Sequence, residues 1–274
     1  MTGAPSEIGS GNWQKSASPS VDPGQWTAII PAAGRGSRLG FHRPKILYPV
    51  AGRPILDWLL DFLLPNCSEL VFVLSSDGVG DVAVELQARI PGRYKIVVQE
   101  MPTGMGDAVA LALPAVRTAQ VAIVWGDQVA LRRKWVEACL RLQQGPLAPD
   151  LTCPTVMRDR PYIHFERDAH GRIVALLQAR EGDDMPRRGE SDTGFFCFRT
   201  PVLVQLLDEL RTAPATGRAT GEFNLLPVIP LAARKGTVLT PRLMSVEETV
   251  GVNSTGDAAV LEEFLRRTHA CDEC

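Results

Sequence analysis

The sequence predicts an α/β fold built on a central mixed, mostly parallel sheet flanked by helices, and three observations carry that expectation. From Trp26 onward, short apolar runs alternate with helix-length connections, the pattern of right-handed βαβ units and parallel strands. Beyond residue 150 the runs crowd together with turn signals between them, which adds antiparallel strands to the sheet. The stretch from Ser254 to Thr268 opens on a residue suited to an N-cap and sets Ala258, Leu261, Phe264 and Leu265 on one helical face.

Taken in order, TAIIPA, ELVFVLS, YKIVVQ and QVAIVWG read as buried strands, with PILDWLLDFLL and helices near 79–90 and 106–117 between them. LTCPTVM, YIHFER, RIVALLQ and TGFFCFR follow as strands, then helices near 201–212 and 222–235. Residues 1–24, rich in Gly, Ser and Pro and without apolar period, read as a flexible leader. A single domain is expected over 25–270, with 271–274 as a tail whose Cys271 and Cys274 lack a second CxxC pair. No hexapeptide repeat is visible.

The 274 residues are 45% hydrophobic and 22% charged with a net charge of -2, an ordinary globular composition without the basic excess expected of a nucleic-acid binder. Six cysteines spread over this length read as buried thiols rather than a disulfide framework. No apolar run reaches the ~18 residues of a membrane span, and the first twenty residues lack a signal-peptide core, so the expectation is a cytoplasmic protein without a membrane partner.

The strongest chemical signal is the loop Ala32-Ala33-Gly34-Arg35-Gly36-Ser37-Arg38-Leu39-Gly40, directly after the first buried strand and followed by Pro44-Lys45. Its glycines let backbone N–H groups turn toward an anion, and Arg38 and Lys45 add the charge that a triphosphate needs. A dinucleotide GxGxxG fails because Leu39 takes the third glycine's place, and no GxxxxGK[ST] string occurs. A Gly-rich surface turn is the plain alternative for the loop taken alone.

Asp127 ends the run VAIVWGD and projects a carboxylate at the carboxyl end of a strand, where Mg²⁺ bridging phosphates finds an oxygen ligand. Asn253, after the short run VGV, offers a second such oxygen; a turn or helix cap is the alternative at both positions. Gln99 ends another strand ahead of Pro102-Thr103-Gly104-Met105-Gly106-Asp107. Its amide sets a donor beside an acceptor, as the pairing edge of a pyrimidine requires, and Gly104 permits close backbone approach.

In this order, over residues 26–265, AAGRGSRLG…PK, the glycine loop after Gln99, the strand-terminal Gly126-Asp127 and VGVN at 250–253 resemble the sugar-1-phosphate nucleotidyltransferase family. PKILYPVAGRPIL and EETVGVN are most similar to its uridylyltransferases of N-acetylglucosamine-1-phosphate. The resemblance implies a Rossmann-like nucleotidyltransferase fold, Mg²⁺ as cofactor, a nucleoside triphosphate with UTP favoured, and a small phosphorylated acceptor. It implies that Arg38 and Lys45 are the catalytic cations, that Asp127 and Asn253 hold the metal, and that Gln99, Gly104 and Met105 lie at the base. Tyr162, Ile163, Gln178, Asp192, Thr193, Gly194 and Glu222 fall in the segments that line the acceptor pocket of such enzymes.

Several positions depart from the pattern. Met105 replaces a threonine, PYGR reads Pro161-Tyr162-Ile163-His164, and LTD reads Leu225-Leu226-Pro227. Gln178 stands for a glutamate and Asp192 for an asparagine. Phosphate and metal positions match while acceptor positions differ, which predicts retained chemistry with an altered acceptor. Another triphosphate with a cyclitol phosphate or phosphonate acceptor, and a non-catalytic nucleotide-binding subunit, are the alternatives.

Overall fold

A computed structural model describes residues 20–34, 36–212 and 216–272. In chain order, strand β1 (Trp26–Pro31) leads through the small hairpin β2 (Pro49–Val50) and β3 (Arg53–Pro54) to helix α1 (Ile55–Leu63). Then come β4 (Glu69–Ser75), α2 (Val79–Arg89), β5 (Tyr94–Gln99), α3 (Met105–Ala112), β6 (Gln120–Val124) and α4 (Arg133–Gln144). The second half runs β7 (Leu151–Thr152), β8 (Thr155–Asp159), β9 (Ile163–Arg167), β10 (Ile173–Gln178), β11 (Arg188–Asp192), β12 (Phe195–Arg199), α5 (Thr200–Thr212), α6 (Val228–Lys235), β13 (Val238–Leu239) and α7 (Thr255–Asp272).

Seven strands form the central sheet in the order β13-β7-β12-β6-β1-β4-β5. β5, β4, β1 and β6 are parallel neighbours, and β12 joins β6 antiparallel. This is the mixed, mostly parallel, Rossmann-like α/β architecture that the sequence predicts. Every residue of β1 is buried because helices cover both faces, which is why its run is apolar without alternation. Ala28, Ile30, Leu70 and Phe72 pack toward α1, α2, α4 and α7, while Ile29, Val71, Val73 and Ile123 pack toward α3, α5 and α6.

The second half differs from expectation in three places. LTCPTVM is broken at Pro154, so β7 stays in the central sheet while β8 leaves it to pair with β11. β11, whose sequence RGESD carries no strand signal, exists because Glu190 is buried against Arg167. α6 begins at Val228 rather than near 222, since Phe223 N–H donates to Thr103 O (2.8 Å) and Phe223 O accepts from Gly106 N–H (2.8 Å), which hold that segment extended. α3 likewise ends at Ala112, where Leu113-Pro114-Ala115 tightens into a 3₁₀ turn.

Residues 1–19 of the expected leader lie outside the described residues, while Asp22 caps a 3₁₀ turn at Pro23–Gln25. α7 runs to Asp272, and Cys274 lies outside the described residues. Cys67, Cys139, Cys153 and Cys197 are buried thiols, with burial pushing Cys67 and Cys139 up to about 12. Among the described residues no helix is long and apolar enough to cross a membrane.

Candidate active site

The chain leaves β1 at the carboxyl end of the sheet through Ala32, Ala33 and Gly34. Ala32 N–H donates to Val73 O (2.8 Å), pinning the turn to β4, and Lys45 N–H donates to Gly34 O (3.2 Å), bringing the lysine back over the loop. Gly36 adopts φ +67° ahead of a 3₁₀ turn at Ser37–Leu39 that presents Arg38. Arg35 lies outside the described residues.

β6 ends beside β1, and Gly126 N–H donates to Pro31 O (3.2 Å), so Asp127 emerges next to the loop. Val252 N–H donates to the Asp127 carbonyl (3.0 Å), and Gln128 bridges Gly251 antiparallel, which brings in Asn253. Lys45 Nζ then donates to both Asp127 Oδ2 (2.8 Å) and Asn253 Oδ1 (3.1 Å). Three expected site residues, distant in sequence, converge on one cationic point.

Two cavities meet there. A cavity of about 320 Å³ is lined by Ala32, Ala33, Gly34, Lys45, Gln99, Gly104 and Met105. A chamber of about 1080 Å³ is lined by Arg38, Tyr162, Ile163, Gln178, Asp192, Thr193, Gly194 and Asn253. Met105, Trp125, Asp127 and Arg180 line both. Of the expected base-binding residues, Gln99 and Gly104 line only the smaller cavity, apart from the acceptor group, while Met105 and Asp127 stand at the junction. Glu222 departs from that grouping: it lines the smaller cavity and pairs with Arg180 at 2.7 Å. Ser37 lines a separate cavity of about 410 Å³.

Gln99 is buried at the end of β5, and its Nε2 donates to Gly104 O (3.1 Å), Thr103 Oγ1 (3.2 Å) and Asp107 Oδ2 (3.3 Å). Gly104 is held at φ +118°, and a Cβ there would lie 2.5 Å from Phe223 O, so both its conformation and its packing require glycine. On the chamber side, Asp192 Oδ2 accepts from Gly194 N–H (2.9 Å). Burial pushes the Asp192 carboxyl above its usual range, against the Gly194 N–H, the nearby Arg158 charge and the Trp125 side chain.

Arg158, Arg180 and Gln128 also line the chamber, although nothing in the sequence singles them out. Arg158 is partly buried, which lowers its pKa, and its Nη2 donates to Thr249 O (2.7 Å). Glu181, beside Arg180, organises the loop carrying Glu222 by accepting from Ala219 N–H (2.9 Å), Thr220 Oγ1 (2.7 Å) and Asn224 Nδ2 (3.0 Å). Burial alone would raise the Glu181 carboxyl, yet these donors bring it down to about 2. No local motif marks any of these residues; their positions follow from pairings across the chain.

Residues 28–192 match the MobA-like NTP transferase domain family. The chain is 30% identical over 246 residues to "Bifunctional protein GlmU" of Carboxydothermus hydrogenoformans, covering 88% of this chain and 53% of that protein. It is 28% identical over 249 residues to the protein of the same name in Cellvibrio japonicus, covering 88% and 52%. The chain therefore spans about half the length of these relatives. Among solved structures, the 4-diphosphocytidyl-2C-methyl-D-erythritol synthase of Anaerococcus prevotii superposes with a TM-score of 0.63 at 13% identity, over 89% of this chain and all of that one, a likeness of fold.

Proposed function

The chain belongs to the MobA-like NTP transferase domain family and is a nucleotidyltransferase, and on that premise we propose that it couples a nucleoside triphosphate, UTP favoured, to a sugar-1-phosphate or sugar-like phosphate with Mg²⁺. An acceptor phosphate oxygen attacks the α-phosphorus, and the bond to the leaving pyrophosphate breaks. The nucleophile is already ionised at neutral pH, so no general base is needed, and catalysis consists of positioning two anions and neutralising their charge.

The convergence of Asp127 and Asn253 on the Lys45 ammonium carries this reading. Two hard side-chain oxygens around one cation fit Mg²⁺, for which that ammonium is a stand-in. Among the described residues no group of three or more His, Cys, Asp and Glu could complete a metal cage. Mg²⁺ itself commonly takes one or two protein oxygens and fills its shell with phosphates and water. When bound, Mg²⁺ supplies charge neutralisation across the phosphates. Asp127 and Asn253 would hold it, while Lys45 and Arg38 neutralise triphosphate and acceptor phosphate.

Gln99 supports a uracil or thymine base. Its amide nitrogen faces Gly104 O and Asp107 Oδ2, so turning the amide would set oxygen against oxygen. The carbonyl end remains to accept from the N3–H of uracil; cytosine has no N–H at N3 and would meet it only through its exocyclic N4 amine, in a different pose. Ile163 and Asp192 support an acceptor other than N-acetylglucosamine-1-phosphate, because an apolar wall and a buried carboxyl replace the polar pattern of the uridylyltransferases that the sequence resembles. A pyrophosphate-release assay with each common triphosphate against a panel of phosphorylated acceptors tests the reading. Release that depends on both substrates supports it, and triphosphate hydrolysis indifferent to every acceptor contradicts it.

A further inference from the structure

Gln128 follows Asp127 directly, is 3% exposed, and lines the larger chamber. Its Oε1 finds no hydrogen-bond partner among the described residues, and neither does Oγ1 of Thr193, which is 1% exposed and lines the same chamber. Thr193 precedes Gly194 in the chain, and Gln128 packs against that glycine: a Cβ built there would lie 2.6 Å from Gln128 Nε2. The backbone around them is fixed, since Trp125 N–H donates to Gly194 O (3.0 Å) and Gln128 is bridged to Gly251. Buried polar atoms are ordinarily paired, so two orphan oxygens on residues that line one chamber with Asp127 mark a place where a ligand completes the hydrogen bonding.

We infer that Gln128 and Thr193 form an acceptor-selecting subsite that takes hydroxyl groups from the edge of a polyhydroxylated ring. The inference rests on the nucleotidyl-transfer reading and narrows its acceptor class. An amide carbonyl oxygen only accepts, whereas a threonine hydroxyl both donates and accepts. A ring hydroxyl donates to Gln128 and can exchange hydrogen bonds with Thr193. A carbonyl oxygen or a ring carbon that has lost its hydroxyl cannot donate to Gln128. With Asp192 Oδ2 engaged by Gly194 N–H alongside, this part of the chamber is rich in accepting oxygens and selects for donors, which ring hydroxyls supply. Gln128 is thus a specificity-determining residue, separate from the cations and the metal ligands.

The test compares kcat/KM, by pyrophosphate release with Mg²⁺ and UTP, for the best of a panel of hexose 1-phosphates and cyclitol phosphates and for its singly deoxygenated analogues. Wild type, Gln128→Leu and Gln128→Met are measured, the methionine keeping the length of the chain should the leucine variant fail to fold. One deoxy analogue is expected to fall about 30-fold or more in wild type, as a site built for a hydroxyl rejects the analogue lacking it. The variants are expected to lose a similar factor on the parent acceptor, discriminate that analogue by less than about 3-fold, and keep KM for UTP within about 2-fold. Such selective coupling does not arise from a structural role. Equal use of all deoxy analogues by wild type, or a uniform loss in the variants with discrimination retained, overturns the inference while leaving nucleotidyl transfer standing. Absence of acceptor-dependent release with every triphosphate overturns the transfer reading and the subsite with it.

Discussion

Lys45 Nζ lies 2.8 Å from Asp127 Oδ2, so the lysine of the first loop spans 82 residues of sequence to occupy the point where the proposed metal ligands converge. An ammonium and a divalent ion cannot share that point. Lys45→Met is therefore expected to bind Mn²⁺ without nucleotide about tenfold or more tightly than wild type, while turnover falls on the order of 10²-fold from the loss of a phosphate-neutralising charge. Titration followed by electron paramagnetic resonance checks the first effect; equal Mn²⁺ affinity would separate Lys45 from the metal position.

Asp192 gives a stability prediction with a definite sign. Burial raises its folded-state pKa, so the folded protein holds that proton more tightly than the unfolded chain, and the stability linked to it is lost as pH rises through the raised pKa. Asp192→Asn should raise Tm at pH 7, and the gain should vanish below about pH 4, where the wild-type carboxyl is protonated in both states. Thermal melts across that range decide it, and a variant that melts lower at pH 7 refutes the assignment.

Glu190 behaves in the opposite sense. Burial would raise it, but Arg167, donating at 2.7 and 2.8 Å, and Thr155 at 2.6 Å bring it down to about 2. Its contribution is full above the ordinary carboxylate range and is lost as pH falls toward 2. Glu190→Gln should cost on the order of 3 kcal/mol at pH 7, with the gap to wild type closing in acid. Denaturant titrations at pH 7, 4 and 3 measure that closure; a gap constant with pH would show that the ionised pair contributes nothing.

The orientation of Gln99 predicts base choice. Wild type should prefer UTP over CTP, and Asp107→Ala, which removes one of the acceptors fixing the amide nitrogen, should raise the CTP to UTP ratio of kcat/KM several-fold. A ratio unmoved by both Asp107→Ala and Gln99→Ala means that another group reads the base.

The parallel strands were legible because burial on both faces writes a continuous apolar run, as in β1. β11 was not, because its burial depends on Glu190 meeting an arginine 23 residues earlier in the chain. In the site, the loop from Ala32, Asp127 and Asn253 each carry a local motif, yet the meeting of Asn253 with a lysine 208 residues away depends on the bridge between Gln128 and Gly251. Arg180 and Gln128 have no local signal at all. α6 starts later than the helical pattern near 222 predicts because that segment is held extended by backbone hydrogen bonds with the loop around Thr103.

The central claim, attack on the α-phosphorus, is tested most directly by following label from UTP in the presence of Mg²⁺ and the best phosphorylated acceptor. With α-labelled UTP the label is expected in a new nucleotide diphospho-linked product, with γ-labelled UTP wholly in pyrophosphate, and Asp127→Asn should slow both on the order of 10²-fold. Appearance of the α-label in free UMP alone, or of the γ-label on the acceptor, would contradict nucleotidyl transfer at this site.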